Sequence, residues 1–125
     1  EPVSFIGCKK ILIVSLGSMG KRYVQIIRNL FPEISIGVLR HRKYEDNVKE
    51  SFGIECCFTS IEDALAYQPY AAILANPSSM HIDVAIPLAD AGIHLLIEKP
   101  IAASVKGVKK LIDLCIERKI VLMTA

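Results

Sequence analysis

Six short runs of apolar, largely β-branched residues alternate along this chain with stretches patterned for helix. Apolar runs of about 4–8 residues without a polar face fit strands buried on both sides. The runs fall at residues 10–15, 34–39, 54–58, 71–75, 93–97 and 120–124. Between them lie helical stretches at 18–30, 44–51 and 61–67, one from about 78 to 91, and one from about 104 to 118. Regular strand–helix alternation predicts a parallel sheet covered on both faces. Two βαβαβ halves then give a doubly wound α/β fold of Rossmann type, its six strands mainly parallel in the order 3-2-1-4-5-6.

The punctuation supports this reading. On the first helix, Met19, Tyr23, Ile26, Ile27 and Leu30 recur at helical spacing, and Pro32 stops it. Gly53 is placed to end the second helix and Gly92 the fourth. Ser60 is a natural N-cap, with Glu62 and Asp63 favourable in the turn that follows. Pro87 is expected to kink the fourth helix. Ser104 is expected to cap the fifth helix, with Val105, Val108, Leu111, Ile112 and Cys115 facing inward.

Composition narrows the class. With 125 residues, 52% of them hydrophobic, the chain builds one domain with a core. Fifteen basic residues against 13 acidic give a net charge of +2, which does not point to nucleic acid. No apolar run is long enough for a membrane span, and no secretory leader is read at the start, which is not Met. Cys8, Cys56, Cys57 and Cys115 form no C-x-x-C pattern, so they are read as reduced core residues of a cytoplasmic protein. A last strand that coincides with the end of the chain reads as a domain cut from a longer protein.

Four stretches carry chemistry. The first, Ser15-Leu16-Gly17-Ser18-Met19-Gly20, keeps the spacing of G-x-G-x-x-G between a strand and a helix, with Ser15 in place of the first glycine. Gly17 would let backbone approach a pyrophosphate, and Gly20 would let helix pack on strand. Ser15 is expected to serve at negative φ. The second stretch is Arg40-His41-Arg42-Lys43. Arg40 stands 20 residues after Gly20, where an acid would read a ribose 2′-hydroxyl. A guanidinium there suits a 2′-phosphate, so the loop favours NADP over NAD. The third is Ala75-Asn76-Pro77 through His81, at the end of the fourth strand. Ala75 leaves room for a cofactor, and Asn76 and His81 are expected near its nicotinamide half. The fourth is Glu98-Lys99-Pro100, at the end of the fifth strand. Lys99 there is placed to hold a substrate hydroxyl or carbonyl. Taken singly, each stretch has an ordinary reading as a turn, a solvated charge run or a polar strand tip. Their order along one sheet edge is what joins them.

With these motifs the sequence resembles the N-terminal domain of the Gfo/Idh/MocA family, over about residues 10–125. The resemblance implies an NAD(P)-dependent oxidoreductase acting on sugars, cyclitols and related polyols. It implies that the family's glycine-rich loop maps onto residues 15–20, its residue at the end of the second strand onto Arg40, and its lysine beside substrate and nicotinamide onto Lys99. Ser15, Gly17, Ser18, Met19, Gly20, Arg40, His41, Arg42, Ala75, Asn76, Pro77, His81, Glu98 and Lys99 are together expected to surround the cofactor. The resemblance further implies a second domain that carries a proton-transfer histidine and the homo-oligomer interface. Neither His81 nor His94 matches that histidine, so the 125 residues alone are expected to be inactive. The competing reading is a dinucleotide-sensing module without catalysis.

Overall fold

A computed structural model describes residues 10–125. Its single sheet has the order β3-β2-β1-β4-β5-β6, as expected, and all five pairings are parallel. The strands are β1 (Lys10–Val14), β2 (Ser35–Leu39), β3 (Cys56–Phe58), β4 (Ala71–Leu74), β5 (His94–Ile97) and β6 (Leu122–Thr124). The helices are α1 (Ser18–Leu30), α2 (Val48–Phe52), α3 (Ile61–Ala66), α4 (His81–Asp90) and α5 (Val108–Glu117), with a 3₁₀ turn at Ser78–Met80 ahead of α4.

Strand periodicity sorts the core into two layers. Leu12, Val14, Ala72, Leu74, Leu95 and Ile97 point to one face and pack with Ala64 of α3, Ala85 and Leu88 of α4, and Leu111 and Cys115 of α5. Ile11, Ile13, Ile36, Val38 and Ile73 point to the other, under Val24 of α1 and Val48 of α2. Both faces are therefore covered, which is why the strands lack polar alternation.

Several local expectations are corrected. On α1 the residues turned to the sheet are Gly20 and Val24, flanked by Tyr23 and Ile27; Met19, Ile26 and Leu30 are exposed. The apolar spacing was too wide to tell which edge of the stripe packs. The helix expected from 104 begins only at Val108, because Gly107 holds φ +81° and interrupts the turn before it. Ser104 Oγ instead accepts from the Lys106 N–H, and Val105 and Ile112 are exposed. The second helix begins at Val48 rather than 44. The third and sixth strands pair over only three residues each, at the two edges of the sheet. On the β3 edge Cys57 is exposed, not core; Cys115 is buried, and Cys8 lies outside the described residues. Ser60 caps α3 as expected, accepting from the Asp63 N–H. α4 runs through Pro87.

Candidate cofactor site at the carboxyl edge of the sheet

Parallel register makes the site. Phe58, Leu39, Val14, Leu74, Ile97 and Thr124 are paired in one row across all six strands. The residues one step further on are held by the next bonds of the ladder. Arg40 N–H donates to the Phe58 carbonyl, Ser15 N–H to Leu39, Ala75 N–H to Val14 and Glu98 N–H to Leu74. Four residues from distant parts of the sequence thus line up along one edge. Strand order reverses between β1 and β4 at this edge, where open α/β sheets take their ligands.

A cavity of about 800 Å³ opens there. Ser15, Leu16 and Gly17 form its floor after β1, with Arg40, His41 and Tyr44 after β2, Thr59 after β3, and Asn76, Pro77 and Met80 after β4. Of the residues singled out in the sequence, Ser15, Gly17, Arg40, His41, Asn76 and Pro77 line this cavity. Ser18, Met19, Gly20, Arg42, Ala75, His81, Glu98 and Lys99 lie outside its wall. Tyr44, Thr59 and Met80 were not anticipated. Thr59 carries a signal, since it directly follows a strand; Tyr44 and Met80 carry none.

The glycine-rich turn fits an anion. At Gly17 a Cβ would meet nothing within 4 Å, so the backbone there is open to the cavity. Gly17 also precedes α1 without a side-chain cap, and no acid occupies the first turn. The first N–H groups of the helix are left for a ligand, and the helix dipole favours negative charge there. Gly20 has the packing role: a Cβ would stand 2.2 Å from the Ser15 carbonyl oxygen. Ser15 departs from expectation. Its φ is +77°, in the left-handed region, because the chain must turn sharply from β1 into α1. For a residue with a Cβ this costs about 1–2 kcal/mol.

The basic loop is tightly organised. The Arg40 guanidinium lies 3.8 Å from the Tyr44 ring centroid, and that of Arg42 lies 4.0 Å from it. Arg40 Nη1 also donates to both oxygens of Asp46, at 3.0 and 3.3 Å. The Tyr44 hydroxyl meets the His41 ring nitrogens, 3.1 Å from Nε2 and 3.3 Å from Nδ1.

Two contacts brace the other half of the edge. His81, although placed near the cofactor by the sequence reading, is 1% exposed. Its Nε2 lies 2.7 Å from the Asn76 carbonyl oxygen, and its Nδ1 lies 3.1 and 3.2 Å from those of Pro100 and Ile101. It joins the loop after β4 to the loop after β5 that carries Lys99. Tyr23 reaches from α1 to donate its hydroxyl to the Glu98 carboxylate. Burial first, then that bond and the carboxylate charge, push the Tyr23 phenol up to about 12. Asn76 Nδ2 donates to the Met80 carbonyl at 3.4 Å, while its buried Oδ1 has no partner. On a residue that lines the cavity, an orphaned acceptor suits a ligand donor. Among the described residues, no cluster of His, Cys, Asp or Glu is arranged to hold a metal, and no helix is long and apolar enough to cross a membrane.

Sheet order, the glycine turn and the cavity at the switch point define a dinucleotide-binding domain of Rossmann type. Residues 9–125 match the oxidoreductase family Gfo/Idh/MocA, NAD-binding Rossmann fold, and the chain belongs to that family. It is 30% identical over 98 residues to 4-carboxy-2-hydroxymuconate-6-semialdehyde dehydrogenase of Sphingobium sp., covering 76% of this chain and 31% of that protein. It is 33% identical over 79 residues to D-xylose 1-dehydrogenase (NADP(+)) 2 of Haloferax volcanii, covering 62% of this chain and 24% of that one. The chain thus spans a third or less of the length of these relatives. The fold is shared with apo scyllo-inositol dehydrogenase from Lactobacillus casei (TM-score 0.82, 22% identity, 93% of this chain and 36% of that one). It is shared too with the WlbA dehydrogenase from Bordetella pertussis, solved with NADH and UDP-GlcNAcA (TM-score 0.77, 24% identity, 94% and 36%).

Proposed function

We propose that this domain holds a nicotinamide dinucleotide across the carboxyl edge of its sheet, NADP in preference to NAD. With the remainder of its protein it would serve a hydride-transfer oxidoreductase acting on a sugar-, cyclitol- or polyol-like carbinol or carbonyl. One observation carries the reading. A single cavity has the open backbone of Gly17 on its floor, Arg40 on one wall and, on another, Asn76, whose buried Oδ1 has no partner.

The bound cofactor supplies or accepts the hydride. Everything else falls to the chain. The turn from Ser15 to Gly17 and the N–H groups of Ser18, Met19 and Gly20 would bind the pyrophosphate. Arg40, supported by His41 and Arg42, would take the 2′-phosphate. Ala75, Asn76 and Pro77 would border the nicotinamide half, with His81 bracing their loop. Lys99, exposed after β5, would donate to the reacting oxygen and stabilise developing alkoxide charge. Glu98, fixed by Tyr23, would hold the strand end from which Lys99 projects.

The test is titration of NADPH and NADH into the 125-residue chain at two salt concentrations, following nicotinamide fluorescence. A charge-assisted hydrogen bond contributes ~1.5–3 kcal/mol, and the Asp46 carboxylate on Arg40 sets the expectation at the low end, roughly a tenfold preference for NADPH. The preference should shrink as salt rises and should vanish in Arg40→Ala. Equal affinities in the parent chain would overturn the NADP reading. In the full-length protein, Lys99→Ala should cut turnover strongly with cofactor affinity nearly unchanged. A protein that binds both dinucleotides but turns over no polyol would instead favour the sensing module.

A further inference from the structure

We infer that Asp46 sets the balance between the two dinucleotides, tempering the preference that Arg40 gives to NADP and keeping the domain open to NAD. This rests on the reading of the cavity as a dinucleotide site. At the end of the second strand of such a fold, a carboxylate accepts from ribose hydroxyls and an arginine binds the 2′-phosphate. The sequence offers only Arg40 at that position. The tertiary structure brings Asp46, six residues on and behind the cavity wall, against that arginine: both of its oxygens face Arg40 Nη1, at 3.0 and 3.3 Å. The side chains are 12% and 34% exposed, so this pair is less screened than a surface ion pair.

The contact uses one nitrogen only. Among the described residues no hydrogen bond reaches Arg40 Nε or Nη2. A 2′-phosphate therefore still finds N–H donors, but it binds beside a like charge. A ribose without the phosphate brings no second negative charge up to that carboxylate. Asp46 also has an orienting effect on the guanidinium, which would favour the phosphate. Tyr44 already lies against that guanidinium at 3.8 Å, so the orienting effect is duplicated while the negative charge is not. The charge decides the sign. The other charged groups of this loop are His41, Arg42, Lys43 and Glu45, and none makes an ion pair with either partner among the described residues.

The discriminating variant is Asp46→Asn, which removes the charge and keeps an oxygen that can accept from Arg40. NADPH and NADH are titrated into the parent chain and the variant, with circular dichroism melts to show that both are folded. The NADPH-to-NADH affinity ratio should rise on the order of tenfold, from stronger NADPH binding with NADH binding little changed. Asp46→Ser should move the ratio the same way and stands in if the asparagine variant does not fold. A ratio that stays fixed or falls, in a parent that binds dinucleotide, overturns the role of Asp46 alone. A folded parent that binds neither cofactor overturns the dinucleotide reading and this inference with it.

Discussion

The two glycines at the start of α1 should fail in opposite ways when each becomes alanine. In Gly20→Ala the new Cβ would lie 2.2 Å from the Ser15 carbonyl oxygen and 3.1 Å from its carbon. Relief needs a movement of about 1 Å, given ordinary contact distances. Ser15 cannot readily yield, because its N–H is bonded to Leu39 at 2.8 Å and its φ is already +77°. The helix must move instead, and it carries the fully buried Val24 away from Ile11 and Ile13. Overpacking of this kind costs up to about 3 kcal/mol, and the better helix propensity of alanine returns about 1 kcal/mol. A net loss of about 2 kcal/mol is expected. At this chain length it lowers Tm by roughly 6–10 °C. In Gly17→Ala the Cβ meets nothing within 4 Å, and φ −77° is ordinary for alanine. A poorer N-cap costs about 0.5–1 kcal/mol, and the stiffer unfolded chain returns a similar amount. Stability should hold within about 0.5 kcal/mol, while the methyl group, projecting into the cavity, weakens NADPH binding by tenfold or more. Urea and thermal unfolding, followed by circular dichroism, read the first effect and fluorescence titration the second. A Gly20→Ala chain that melts with the parent would refute the packing role. A Gly17→Ala chain that binds like the parent would refute the cradle.

Three further outcomes follow from the same geometry. Ser15→Gly removes a left-handed penalty of about 1–2 kcal/mol against an unfolded-state cost of about 0.5–1 kcal/mol, so Tm should rise by a few degrees; a fall would mean that the serine side chain does more than endure the turn. His81→Ala removes the ring that meets the Asn76, Pro100 and Ile101 carbonyls and should cost about 2–3 kcal/mol in urea unfolding, with faster amide exchange in the loop around Lys99. Tyr23 titrates higher in the folded chain, near 12, than its ordinary 10. Its contribution is therefore complete below pH 10 and lost as pH rises through 12. The stability difference between the parent and Tyr23→Phe should narrow across that window, and a difference that stays flat would refute the bond to Glu98.

The strand order and the identity of the edge were legible in the sequence because each depends on local pattern. Apolar runs without alternation require burial on both faces, and βα repetition then leaves few topologies. Gly17 and Gly20 were legible for the same reason: a turn between strand and helix imposes its demands within six residues. What local pattern could not supply was contact between segments. The stripe on α1 contained both a packed and an exposed edge, and only the sheet beneath chose Val24 over Ile26 and Leu30. Gly107 moved the start of α5 by its backbone angle, which a serine N-cap signal upstream does not reveal. His81 looked like a ligand residue, and the loops of β4 and β5 closed over it to make a brace. Arg40 looked like an unopposed cation until the loop folded Asp46 onto it. Periodicity and turn chemistry act over one turn of chain and so can be read along it. Charge pairing and burial act through space, and only the closed sheet edge sets which groups meet.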